Sequence, residues 1–367
     1  MYDTRFKKMA KVLLHHSLDL KEGQKFLISG HETAYPLIKE VFREGINLGA
    51  YPETRVQLPG LNEILFKHGK DHQLEYIPPS MKLIVEEYDA FLSINASSNT
   101  RELTNIDPKK LSQVQKAQMQ IMQTLMQRAS QGDLSWCATQ FPTNASAQEA
   151  SMSLDEYTEF VLSACLVDKE DPIAAWKEIH KKQAKYIDYL SNCKKLHFCS
   201  EDTDLTLEIE DRKWENCDGK NNFPDGEIFT APIEESVSGH IRFSFPGIYM
   251  GREIEDIKLT FEQGRVVKAE AEKGQELLEA LLETDKGSRY VGEVAVGTNY
   301  GIKHFSKNML FDEKIGGTIH LALGKGYPET GSKNDSAIHW DLLCDMRDGG
   351  EIYADGEIIY KDGSFTI

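Results

Sequence analysis

Near residue 190 the hydrophobic period of this chain changes, and that change limits the possible folds more than any other feature. Before it, short apolar runs alternate with helical patterns. GQKFLISG reads as a buried strand, AYPLIKEVFREGINLGA as a helix stopping near a glycine, and TRVQL as the next strand. Strand, helix, strand in this order is the right-handed parallel unit. The alternation continues through a helical pass over 61–67, the strand DAFLSINA, a long Lys-, Gln- and Met-rich helix over 108–131 and the strand in LSWCATQFPT. Two helices follow, one capped by Ser153 and one with Pro172 in its first turn. Residues 1–20 read as an amphipathic helix, with His15 and His16 on its surface. Met119, Met122 and Met126 read as packing residues rather than a cofactor groove. The fold expected for residues 1–190 is an open α/β domain.

After the switch, nearly every segment is strand-like. KKLHFCS, DTDLTLEIED, EIFTAP, VSGHIRFSFP, SRYVGEVAVGTN, GGTIHLALG and SAIHWDLL are separated by Gly, Asp and Asn turns. LTFEQGRVVKAEAE and IYADGEIIY are hairpin patterns, and QELLEALLETD is the one clear helix. Residues 191–367 are therefore expected to form a mostly antiparallel β domain.

Charge restricts the partners. Lys plus Arg is 42 and Asp plus Glu is 59, so the net charge is −17. An acidic surface repels nucleic acid and anionic lipid, which excludes both as expected partners. No apolar run reaches the roughly 18 residues of a membrane span, and MYDTRFKKMAKVLLHHSLDL lacks a signal-peptide core. The six cysteines make no CxxC pair, which fits reduced thiols in the cytoplasm.

The chemistry concentrates between Phe311 and Leu342. In GGTIHLALG, strand alternation sends Thr318, His320 and Ala322 to one face and Ile319, Leu321 and Leu323 to the other. His339 and Asp341 are two apart on a second strand and share a face. Upstream, Glu227 opens the strand after a Pro-Asp-Gly turn. Glu293 sits inside the apolar run VGEVAVG, expected on one face with Val291 and Ala295. A carboxylate buried there needs a counter-charge, which a cation supplies. Glu313 lies beside Asp312, and either is a candidate for the inward acid. Imidazoles and carboxylates in this number exceed what one tetrahedral ion takes and suit a pair of ions. His68 and His72 lack the intervening glutamate of a zinc-protease helix, GKGYPETG lacks the Lys-Ser/Thr of a phosphate loop, and no GxSxG elbow is present.

The ordered set PDGEIFTAP, VGEVAVGTN, DEKIGGTIHLALGKGYPETG and SAIHWD resembles the M29 family of metallo-aminopeptidases, the thermophilic aminopeptidase T group. The resemblance is specific over residues 216–345 and looser before them. It implies a β-rich, metal-binding catalytic domain and removal of the N-terminal residue from peptides that have a free N-terminus. It also implies two divalent metal ions (Zn, Co or Mn) with a metal-activated water, and a homodimer. Carried over residue by residue, the metal ligands are Glu227, Glu293, Glu313, His320, His339 and Asp341. Glu293 also matches the family's catalytic glutamate and Tyr327 its catalytic tyrosine. Two departures stand out. Glu313 lies farther ahead of His320 than the family's glutamate does, and the segment from Tyr327 to His339 is shorter. Another dinuclear hydrolase, acting on acyl or phosphoryl esters, and a non-catalytic protein held together by metal are the alternatives.

Overall fold

A computed structural model describes residues 3–367. The chain divides into two compact units, one of residues up to Ile173 with Gly219–Pro224, the other Ala174–Asp218 with Asp225–Ile367. The helix Pro172–Leu190 thus falls almost wholly in the second unit, although the change of sequence period lies at its far end.

The first unit is built on a parallel sheet. Strands Lys25–His31, Tyr51–Gln57, Ala90–Asn95 and Ser135–Gln140 pair in parallel, and the short Asn222–Phe223 strand joins them. This is the expected α/β architecture. The apolar run Phe26, Leu27 and Ile28 is fully buried, as a central parallel strand requires. Ser153 and Glu156 form a reciprocal cap at the start of the helix Leu154–Ala164.

Two details differ from expectation. The first helix is regular only over Arg5–Val12 and continues as a π-helical turn over Leu13–Ser17. That extra residue per turn rotates His16 inward, so it is buried, while His15 stays exposed and contacts Glu44. Residues 1–2 of the expected helix lie outside the described residues. In the helix Pro108–Ser130, Met119, Met122 and Met126 are exposed and only Leu125 is buried, so these methionines do not fill a core.

The second unit holds two larger antiparallel sheets. One has eight strands. The other has five, in the spatial order His339–Asp345, Thr318–Gly324, Val291–Gly297, Glu227–Thr230, Glu215–Cys217. The five-stranded sheet carries most of the candidate site residues. One face, with Val294, Val296, Ile319, Leu321, Leu323, Trp340 and Leu342, joins the main hydrophobic core of this unit. The opposite face carries His320 and Asp341.

Candidate metal centre

The register of the five-stranded sheet brings the expected residues together. Glu293 lies opposite Ala322, and Ala322 lies opposite Asp341. His320 lies opposite Ala295, His339 opposite Gly324 and Glu227 opposite Gly297. Directly opposed residues point to the same side. The acids and imidazoles therefore rise from a floor of alanine and glycine, which leaves room between them.

One face assignment needs correcting. Val291 does not share a side with Glu293. The pairing slips between them, a β-bulge at Gly292, and Val291 packs in the core with Val294. Glycine is required at the bulge, because a Cβ on Gly292 would stand 2.3 Å from the Gly324 carbonyl oxygen. The bulge permits an apolar residue and a carboxylate, two apart in sequence, to leave the strand on opposite sides.

Glu227 is placed by the preceding turn. Gly226 has φ +118, and a Cβ there would meet Asn299 at 2.8 Å. Glu313 follows the short helix Met309–Asp312, whose start is capped by Asn308. The neighbouring acids part here. Asp312 turns away and accepts from the Ser306 backbone N–H at 2.7 Å and hydroxyl at 2.8 Å. Glu313 faces the site. Its greater sequence distance from His320 is taken up by Lys314–Gly317, where the Asn299 N–H donates to the Lys314 carbonyl at 3.0 Å and the Gly316 N–H donates back to Asn299.

Distances define three overlapping donor sets. Ligand atoms of Glu227, Glu293 and His320 all lie within 4.8 Å of one another, as do those of Glu293, His339 and Asp341, and those of Glu313, His320 and Asp341. His320 Nε2 is 3.0 Å from Glu293 Oε1 and 3.5 Å from Glu227 Oε2. His339 Nε2 is 3.4 Å from Asp341 Oδ1. His339 Nδ1 donates to the Lys325 carbonyl at 2.7 Å, which fixes the tautomer and aims Nε2 inward, the support a metal-bound imidazole uses. Tyr327 lies above, its ring 5.2 Å from that of His339 and 5.4 Å from that of Phe229.

Two observations show that these residues suit cations. Glu227 Oε2 and Asp341 Oδ1 are buried without a hydrogen-bond partner, a costly state that a cation relieves. The protein's own charges are also strained. Burial raises the Glu293 carboxyl and pushes Glu313 up to about 8. Burial would lower the two imidazoles, but Glu293, Glu227 and Asp341 outweigh it at His320, which reaches about 9. At His339, Asp341 and Glu293 outweigh it, and the value reaches about 10. Burial opposes ionisation of Asp341 too, yet His339 and His320 hold it below the ordinary carboxylate range. In the metal-free chain, protons on the imidazoles therefore do part of the work of cations.

Lys314 was not legible as a site residue. It is buried, its Nζ is 2.5 Å from Glu227 Oε1 and 3.6 Å from Asp225 Oδ1, and it also bonds Glu313. Burial would discharge it, but Glu227, Glu313 and Asp225 hold its proton more firmly than usual. A lysine beside a glutamate in a glycine-rich turn carries no sign of burial in its sequence. Removing one imidazole tests the donor set. His339→Ala is expected to lower the divalent metal retained after dialysis, measured by elemental analysis, and an unchanged content would remove His339 from the set.

A parallel α/β unit followed by a β unit that gathers acids and imidazoles around buried, unsatisfied oxygens defines a metal-dependent hydrolase. Residues 2–365 match the family model described as thermophilic metalloprotease (M29), and the chain belongs to that family and is a metallopeptidase. It is 30% identical to Aminopeptidase 2 of Geobacillus stearothermophilus over 99% of this chain and 95% of the relative. It is 31% identical to Aminopeptidase AmpS of Bacillus subtilis over 76% and 77%. Aminopeptidase T of Thermus thermophilus is 27% identical over 100% and 97%. The solved structure of wild-type AmpT from Thermus thermophilus shares the fold, with a TM-score of 0.85, 24% identity and 99% of each chain covered. The M29 resemblance and the mixed fold class expected from the sequence, a parallel α/β sheet with antiparallel β-sheets, therefore hold. No helix among the described residues is long and apolar enough to cross a membrane.

Proposed function

We propose that this metallopeptidase removes the N-terminal residue of peptides, using a pair of divalent cations held by Glu227, Glu293, Glu313, His320, His339 and Asp341. The observation that carries the reading is the convergence of these donors in overlapping sets around buried, unsatisfied carboxylate oxygens. Charge supports the number two. Glu227, Glu293, Glu313, Asp341 and Asp225 supply five negative charges when ionised, and Lys314 supplies one positive charge. The remainder, −5 + 1 = −4, matches two divalent ions. All six donors are oxygen or nitrogen, and zinc, cobalt and manganese are the cations this set suits.

When bound, the cations would acidify a water and polarise the scissile carbonyl. Glu293 would accept the water's proton and deliver it to the leaving amine, and burial, which raises its carboxyl, favours that exchange. The Tyr327 hydroxyl would donate to the developing oxyanion. It stays protonated for this role, because burial, then Glu293 and Asp341, raise it well above an ordinary phenol. The substrate's free α-amine would bind at this centre, to a cation or to one of its acids, which restricts cleavage to chain ends. A homodimer in the cytoplasm completes the proposal.

A phosphoryl-ester substrate would require a cation facing the ligand. Lys314 is instead enclosed by Glu227, Glu313 and Asp225. Metal-loaded protein assayed against aminoacyl-arylamides and acyl and phosphoryl esters tests the choice. Turnover confined to the arylamides is expected, and turnover of the esters alone would overturn it. Tyr327→Phe is expected to lower kcat by about 100-fold, the effect of a well-aimed oxyanion donor, with metal content unchanged. An undiminished rate would take Tyr327 out of the reaction.

A further inference from the structure

A second group of donors lies on the eight-stranded sheet. His197 and Cys199 are two apart on the strand Lys195–Ser200, whose alternate residues Leu196 and Phe198 are buried in the core. Their side chains therefore leave the outer face together. Asp204, on the neighbouring strand Thr203–Glu208, lies directly opposite Cys199 and joins them. His197 Nε2 is 2.8 Å from Asp204 Oδ1 and 3.1 Å from Cys199 Sγ. One nitrogen, one sulfur and one carboxylate oxygen thus lie within 4.8 Å of one another.

We propose that His197, Cys199 and Asp204 form a separate site for a single zinc ion, with water as the fourth ligand. The proposal does not rest on the catalytic reading. Tetrahedral zinc with these donors sets neighbouring ligand atoms about 3.3–3.6 Å apart. Asp204 and Cys199 need to draw back from His197 Nε2 by only about half an ångström, and the exposure of His197 and Asp204 allows it. The donor chemistry differs from that of the catalytic cluster. A thiolate with an imidazole selects a borderline-soft ion and disfavours magnesium or manganese, which the carboxylate-rich cluster accepts. Cys199 is unpaired in any disulfide. Binding displaces the thiol proton to solvent as the sulfur–zinc bond forms, with no change of oxidation state.

Two neighbours shape the site without entering it. Tyr353 lies opposite His197, its ring 5.8 Å away, and flanks the imidazole. Glu351 lies opposite Cys199, but its carboxylate accepts from the Tyr353 hydroxyl at 2.5 Å and from Lys361 Nζ at 2.8 Å. It adds negative potential rather than a ligand.

Cobalt(II) serves as a visible substitute for zinc. Metal-free protein titrated with cobalt is expected to develop the near-ultraviolet sulfur-to-cobalt band of a thiolate ligand, which an excess of zinc removes and manganese does not. Cys217 lies within ligand distance of Asp225 and Glu227, so Cys217→Ser is the control and is expected to keep the band. Cys199→Ser and His197→Ala are expected to lose it and to bind one zinc fewer than the wild type, while their metal-free forms melt with the wild type. Asp204→Asn provides a further variant should either of those fold poorly. Absence of the band in the wild type, or its persistence in Cys199→Ser, would overturn the site.

Discussion

Glu293→Gln is expected to lower kcat by roughly 10²–10⁴-fold, the range of a lost general acid–base group, in a protein that remains folded. The amide keeps an oxygen that can face a cation and preserves the volume at a fully buried position. What it loses is the ability to take a proton and return it. The substitution also leaves His320 with a weaker partner, since Glu293 Oε1 at 3.0 Å is its nearest acid. Steady-state kinetics on an aminoacyl-arylamide, with metal content and melting temperature measured in parallel, separate these effects. A kcat within a few-fold of the wild type, in metal-replete protein, would leave the proton transfer to another group.

Lys314→Met is expected to act on stability, and more strongly without metal than with it. The lysine is enclosed by Glu227, Glu313 and Asp225. Deleting one partner of a buried ionic cluster typically costs about 3–5 kcal/mol, because the remaining charge is left uncompensated. Methionine fills much of the same space, so packing contributes little to the loss. In metal-free protein the variant is therefore expected to unfold at markedly lower denaturant. Divalent cations supply positive charge to the same carboxylates, and saturation at 100 times Kd contributes about 2.7 kcal/mol for each ion. Loading is expected to narrow the gap between variant and wild type. Denaturant melts in chelator and in excess metal read both effects. Equal stability in chelator would show that the surrounding carboxyls are already neutral there.

Much of this was legible in the sequence, for reasons particular residues make clear. Period-two alternation placed His320 opposite to Ile319 and Leu321, and it placed His339 with Asp341, because those strands are regular. It failed at Val291, where one inserted residue breaks the alternation and nothing but a glycine marks the place. It left Glu313 and Asp312 undecided, because the choice between them depends on Ser306, whose backbone and hydroxyl capture Asp312. Lys314 was hidden for a different reason. Its burial is dictated by Glu227, far away in the chain, and pairings of that kind have no local signature. The π-helical turn that buries His16 is likewise a departure from the 3.6 period by which helical faces are assigned. The α/β unit was the easier reading, since caps such as Ser153 with Glu156 and runs such as Phe26–Ile28 act over a few residues.

The donors of the proposed metal centre enter from Glu227 to Asp341, on four different strands and one turn of the second unit. A partly synthesised or partly unfolded chain presents no more than a fragment of that set. Metal uptake by the proposed centre is consequently expected late in the life of this protein, after the sheet has closed. The ion then acts as a lock on a finished structure, not as a template for building it.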